Sequence, residues 1–304
     1  MGSPCELHLY AEADRADAGI EVGVSEVERL ERKYSRYRDD SVAARINASA
    51  GDPQGVDVDP ETACLLDYAA TCHRQSGGLF DITSGVLRRA WNPKSGRLPS
   101  SDEVDAVLGL VGWEQVVWER PRLSLPRPGM EIDFGGYVKE YAADRVAELC
   151  RRHGVRHGLV DLGGDLAVVG PHPDGSAWRV GVRDPRRPET ALAAVDLHGG
   201  AIASSGDYER CMIVDGVRYG HILDPRTGWP VEGLAAVSVV APHCLVAGTA
   251  STVAMLKGEA AGRAWLDELG LPHLRVDQKG GVGGSLGRAW RRNGVGSVPG
   301  TTTI

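Results

Sequence analysis

No run of about 20 apolar residues occurs anywhere in the 304-residue chain, so the sequence offers no membrane-spanning helix. Its start, MGSPCELHLY, has no basic segment, no apolar leader core and no cysteine placed for lipid attachment. As written, the chain is expected in the cytoplasm. Basic charge is also short, with 34 Lys and Arg against 41 Asp and Glu and a net charge of −7. The pairs Arg151-Arg152 and Arg291-Arg292 are too brief to make an electrostatic footprint, which excludes nucleic acid as a partner. None of the six cysteines (Cys5, Cys64, Cys72, Cys150, Cys211, Cys244) belongs to a C-x-x-C pair, and most lie in apolar runs. They read as reduced core residues rather than metal ligands or disulfides. G-x-x-x-x-G-K-[ST], H-E-x-x-H and a G-x-G-x-x-G between strand and helix are all missing, which removes the common nucleotide and zinc readings. A G-x-S-x-G stands at Gly283–Gly287 without the buried strand before it and helix after it that a nucleophile elbow needs. No Pro/Ser-rich or charged linker divides the middle. One domain over residues 1–285 is therefore expected, followed by a flexible Gly/Arg-rich tail over 286–304.

An apolar share of 42% with 25% charged residues is that of a soluble protein able to bury a substantial core. Glu6–Ala11 alternates as a first strand, and Ser25-x-x-Glu28 reads as a capping box opening a helix through Val27, Leu30 and Tyr34. Asp59-Pro60 places an N-cap before a proline at the first helical position, and Gly77-Gly78 ends that helix. VVWE and MEIDFGG are strand-like, and KEYAADRVAELCRRHG is a helix closed by basic residues and Gly154. Further strands are expected in GLVDLGGDLAVVG, Trp178–Val182, Ala191–Leu197 and Ala235–Ala241. Helices follow from about Ala247 to Leu256 and from Glu259 to Gly270, then a strand HLRVD. The glycine pairs Gly135-Gly136 and Gly163-Gly164 mark places where backbone must come close to something else.

The stretch Ala201–Gly228, AIASSGDYERCMIVDGVRYGHILDPRTG, organises the remainder. It reads as an apolar strand, a polar turn at Ser204–Tyr208, a hairpin turning at Asp215-Gly216, and a strand that delivers His221 beside Asp224-Pro225-Arg226-Thr227-Gly228. Proline sets φ at the first central position of the last turn, Asp224 caps its own backbone and Gly228 releases it. His221 thus stands at a strand end beside ordered backbone.

Eight segments in one continuous order resemble the FAD:protein FMN transferases, the ApbE-like family. They are MGSPCELHLY, SRYRDDSVAARIN, GGLFDITSG, DFGGYVKEYAADR, GLVDLGGD, SSGDY, HILDPRTG and APHCLVAGTAST. The resemblance implies a single α+β domain of mixed and antiparallel sheets flanked by helices. It also implies that FAD is the substrate, that Mg2+ assists cleavage of its pyrophosphate, and that FMN passes to a Ser or Thr of an acceptor flavoprotein with release of AMP. Carried over residue by residue, it places Met1, Tyr37, Leu79, Phe80, Asp81, Asp133, Lys139 and Ile222 around FAD and gives His221 the task of deprotonating the incoming hydroxyl. Gly136 and Thr252 fall at metal positions. Two departures follow from the same comparison. Gly248-Thr249-Ala250-Ser251-Thr252 stands where the usual segment reads Asp-Ala-x-x-Thr, and Lys139-Glu140 where Lys is usually followed by Gly. The metal-binding Asp is thus absent, and Glu140 is the carboxylate expected to replace it. A protein that binds FAD without transferring FMN, and an FAD pyrophosphatase giving FMN and AMP, are the alternatives.

Overall fold

The computed structural model describes residues 3–92, 96–208, 211–286 and 302–303. In chain order its elements are β1 (Cys5–Tyr10), α1 (Ala13–Tyr34), α2 (Val42–Ala48), β2 (Val56–Asp57), α3 (Pro60–Ser76), α4 (Ser101–Leu108), β3 (Val117–Glu119), β4 (Arg122–Ser124), α5 (Val138–Arg152), β5 (His157–Leu162), β6 (Asp165–Gly170), β7 (Trp178–Asp184), β8 (Arg187–Leu197), β9 (Ala201–Gly206), β10 (Cys211–Val214), β11 (Val217–Gly220), β12 (Leu234–Ala241), α6 (Cys244–Leu269), β13 (His273–Asp277) and β14 (Val282–Gly283). The chain divides into two compact units. The first comprises Met1–Glu31, Tyr137–Tyr208 and Glu232–Ile304, the second Arg32–Gly136 and Glu209–Val231.

The first unit is built on a seven-stranded sheet in the order β1-β5-β6-β9-β12-β13-β14, antiparallel at every pairing. Its central strands are apolar on both faces, as burial on both sides requires. Leu166, Val168 and Ile202 join Trp178, Val180, Val182 and Val195 of the β7–β8 hairpin in one cluster. Alternation along β6 and β9 turns Asp165 and Ser205 to the opposite face, which α5 and α6 cover. α6 breaks where the sequence places the boundary, at Gly258, whose φ of 73° lies in the left-handed region.

In the second unit Asp59 caps α3, accepting from the amides of Glu61 and Thr62 at 3.1 and 3.2 Å, and Pro60 opens the helix. Its core includes Tyr34 and Phe134, whose ring centroids are 4.8 Å apart, with Leu66, Leu87, Leu123 and Met130 fully buried. β2, β4 and β3 form a small sheet, and β10 and β11 a separate hairpin.

Several sequence expectations fail for physical reasons. α1 starts at Ala13, so Ser25 lies inside it and opens nothing. The buried stripe of the earlier turns is Gly19 and Gly23, which let Leu7 and Leu9 of β1 approach the helix backbone. Hydrophobic periodicity cannot register a stripe made of glycine. MEIDFGG forms no strand. Its backbone is pinned instead by Asn47, which accepts from Ile132 N at 2.8 Å and donates to Ile132 O at 3.1 Å. Ser204 and Ser205 belong to β9 rather than to a turn, paired with Ser238 and Val237. Cys72, Cys150 and Cys244 are buried as expected, but Cys5 and Cys64 are exposed.

Candidate active site

The hairpin turns at Asp215-Gly216 with φ of 50° and 77°, the positive pair that matches the twist of the flanking strands. β11 ends at Gly220, and His221 follows at once, exposed. What fixes it is the turn behind it. Asp224 Oδ1 accepts from Arg226 N at 2.8 Å, and Asp224 O accepts from Thr227 N and Gly228 N at 3.2 and 2.8 Å. Asp224 N donates to Trp229 O at 2.8 Å, and Val231 N donates to Ile222 O at 3.0 Å. Trp91 Nε1 donates to Gly228 O at 2.7 Å, tying the turn to the core of its unit. Ile222, half-buried, sits between the histidine and this brace.

The other expected flavin residues of the second unit occupy two linked stretches. Leu79 and Phe80 are buried, and Phe80 N donates to Ser76 Oγ at 2.8 Å. Asp81 is committed within its own unit: Oδ1 accepts from the amide and hydroxyl of Thr83 at 2.8 and 2.6 Å, and Oδ2 from Trp113 N at 2.9 Å. His73, Asp81 and Glu114 together bring one ligand atom each within 4.8 Å of one another. Asp133 N donates to Ile82 O at 2.8 Å, which sets Asp133 beside this turn. Its Oδ1 accepts from Gly135 N at 2.9 Å, and its Oδ2 pairs with the Arg36 guanidinium. Arg36 also donates to the Tyr37 hydroxyl at 2.9 Å and lies 5.0 Å from the centre of that ring, which is 82% exposed. Gly136 ends a single turn, Phe134–Gly136, and a Cβ there would meet nothing within 4 Å among the described residues. Met1 lies outside the described residues.

Lys139, Glu140 and Thr252 belong to the first unit. Lys139 Nζ meets Asp165 Oδ2 at 2.7 Å and donates to Gly163 O at 3.3 Å. Burial opposes its charge most strongly, but the charges of Asp165 and Glu140 and the Asp165 hydrogen bond together hold the ammonium above the ordinary lysine range. Glu140, the next residue, is 8% exposed and its Oε2 has no hydrogen-bond partner. Burial first, and then the charge of Asp165, push its carboxyl up to about 8. A Cβ built on Gly248 would lie 2.6 Å from Glu140 Cγ and 2.7 Å from its Oε1. One turn further along α6, Thr252 Oγ1 lies 2.9 Å from Ser205 Oγ, which also meets Ser251 Oγ at 2.8 Å. Asp144 holds the start of α6, accepting from the amides of Cys244 and Leu245 at 2.8 and 2.9 Å.

Two members of this cluster escape sequence reasoning. Asp165 starts an apolar strand and looks like the end of a hairpin turn, and Ser205 looks like part of a polar loop. Only the side on which each strand residue points brings them to α5 and α6.

Comparison with known proteins gives the class. Residues 1–274 match the ApbE family, and the chain belongs to it. The FAD:protein FMN transferase of Treponema pallidum (strain Nichols) is 31% identical over 292 residues, covering 88% of this chain and 80% of the relative. That of Escherichia coli (strain K12) is 30% identical over 259 residues, covering 81% and 73%. Among solved structures, the ApbE protein of Thermotoga maritima superposes with a TM-score of 0.87 at 31% identity, covering 93% of this chain and 94% of that one. The apo flavinyl transferase ApbE of Pseudomonas stutzeri gives 0.83 at 29%, covering 97% and 95%. The α+β expectation and the family resemblance are thus both borne out.

Proposed function

We propose that this chain cleaves FAD and transfers its FMN half to a Ser or Thr hydroxyl of an acceptor protein, releasing AMP. Relatives 31% and 30% identical over most of this chain are FAD:protein FMN transferases. The observation that carries the reading is the placement of His221, an exposed imidazole at a strand end with a hydrogen-bonded turn fixed directly behind it. A macromolecular hydroxyl must be met at the surface, and a neutral imidazole at such a point takes its proton as the hydroxyl oxygen attacks. The new bond joins that oxygen to the phosphorus of the FMN half. The bond from this phosphorus to the bridging oxygen breaks, and the electron pair leaves with AMP. The proton held on His221 then passes to solvent.

The remaining site residues position and shield. Within the second unit, Leu79, Phe80 and Ile222 give apolar surface for a planar ring system, Asp133 a carboxylate for ring or ribose donors, and Asp81 holds the turn beside them; within the first, Lys139 offers a cation suited to phosphate. Bound Mg2+ would neutralise charge that develops on the pyrophosphate. Within the first unit, Glu140 and the Thr252 hydroxyl are the groups assigned to hold it. Glu140 suits an ion in one respect that its surroundings make plain: it is a buried carboxylate with an unmatched oxygen.

The test is incubation with FAD, Mg2+ and a candidate acceptor, followed by intact mass of the acceptor and assay of AMP. A covalent FMN increment accompanied by AMP supports transfer. AMP released at the same rate without acceptor assigns hydrolysis instead, and FAD bound with no AMP formed assigns a flavin-binding protein.

A further inference from the structure

We propose that the acidic metal ligand of this site has moved between helices: Glu140 on α5 supplies it, and Gly248 on α6 is glycine because Glu140 occupies the space its side chain would need. The inference rests on the FAD and Mg2+ reading above and adds the identity of the ligand and the coupling between two positions.

Three observations converge. A Cβ at position 248 would fall 2.6, 2.7 and 2.9 Å from Cγ, Oε1 and Cδ of Glu140, so the Glu140 carboxyl lies where a side chain on residue 248 would begin. Glu140 is more than nine-tenths buried, yet one of its carboxyl oxygens has no hydrogen-bond partner. A buried polar atom left unmatched is costly, and native proteins rarely keep one without a use. Third, the neighbouring charges are already assigned. Asp165 is paired with Lys139, and it also accepts from Ser204 N at 3.2 Å; Asp144 caps α6. Glu140 is the carboxylate of this group left with an open oxygen.

Helical geometry puts the substitute in the right place. Residues 248 and 252 are four apart on α6 and share a face, so an ion served from position 248 would also be served by the Thr252 hydroxyl. Glu140 reaches that face from α5 and ends beside the backbone of Gly248. The two positions then form an exchangeable pair in which one carboxylate fits and two crowd each other. The Glu that follows Lys139 and the Gly at 248 are two halves of a single change.

The pair is tested with four proteins: the parent, Glu140→Gly, Gly248→Asp, and the double variant. Binding of Mn2+, as a spectroscopic stand-in for Mg2+, is followed by electron paramagnetic resonance with FAD present and no acceptor; melting temperature is recorded for each protein. Glu140→Gly should weaken Mn2+ by about tenfold or more, the scale on which even outer partners of a metal act. Gly248→Asp alone should lower the melting temperature without tightening Mn2+, and the double variant should recover most of both. Glu140→Gln, which keeps the side chain's shape, should lose Mn2+ with its fold intact. The proposal is overturned if Glu140→Gly or Glu140→Gln binds Mn2+ like the parent, if the double variant binds no better than Glu140→Gly, or if the parent binds no Mn2+. A parent that binds Mn2+ through Glu140 but transfers no FMN would leave this assignment standing and defeat the transfer reading instead.

Discussion

Asp133 packs its side chain against the backbone of Gly85, so closely that a Cβ on residue 85 would fall 2.5 Å from the Asp133 Cβ. Gly85→Ala must therefore push Asp133 away from Arg36 and the Gly135 amide, its present partners. If Asp133 contacts the flavin nucleotide, this variant should weaken FAD binding in a calorimetric titration. Unchanged affinity would remove Asp133 from the binding surface.

His221→Ala should leave FAD affinity near the parental value and slow FMN transfer by about 10²–10⁴-fold, the usual contribution of a positioned general base. The separation matters because the side chain is exposed at a strand end. Single-turnover transfer at the parental rate would reduce His221 to a structural residue.

Asp224 differs, since its carboxylate holds the turn through Arg226 N at 2.8 Å and the Arg226 guanidinium at 2.8 and 3.1 Å. Asp224→Ala should cost about 1–2 kcal/mol of stability, at about 1 kcal/mol per hydrogen bond. Transfer should fall along with it. Denaturant midpoints separate the two variants: His221→Ala should show no shift and Asp224→Ala a clear one.

Asp59 sets an acid limit on the second unit. Burial alone would raise its carboxyl, but hydrogen bonds from Lys33 and from Thr62 outweigh burial and hold it at about 2, below its ordinary 3.8. A depressed carboxylate stabilises the fold above the unfolded value and loses that contribution as pH falls through the folded one. Stability should therefore drop between about pH 4 and pH 2. In urea titrations over that range Asp59→Asn should show a flatter acid limb, and an identical limb would acquit this residue.

Gly23 offers a packing test. A Cβ there would lie 2.9 Å from Leu7 Cδ1 and 3.1 Å from Val146 Cγ1. Gly23→Val should cost about 1–3 kcal/mol through overpacking, despite replacing a glycine within a helix. Gly77 is the control, with open space around it, although its φ of 73° favours glycine for a different reason. A Gly23→Val midpoint equal to the parent would mean that β1 and α1 can part without penalty.

Much of the molecule was legible without coordinates wherever the determinant is local. The Asp59-Pro60 cap, the break at Gly258, the Asp215-Gly216 turn and the Asp224–Gly228 turn each follow from backbone preferences of residues adjacent in sequence. The family, too, was legible, because eight short motifs kept one order along the chain. Tertiary structure decided the rest. The first half of α1 is a helix because two glycines admit β1, a contact between elements that hydrophobic patterning does not encode. Ser205 and Asp165 reach α5 and α6 only through the register of β9 and β6, since a one-residue slip would turn each to the opposite face. The family resemblance pointed to a carboxylate missing at 248 and another present at 140, more than a hundred positions apart. That the two compete for one volume depends on how α5 and α6 pack, and no local preference of either residue contains that distance.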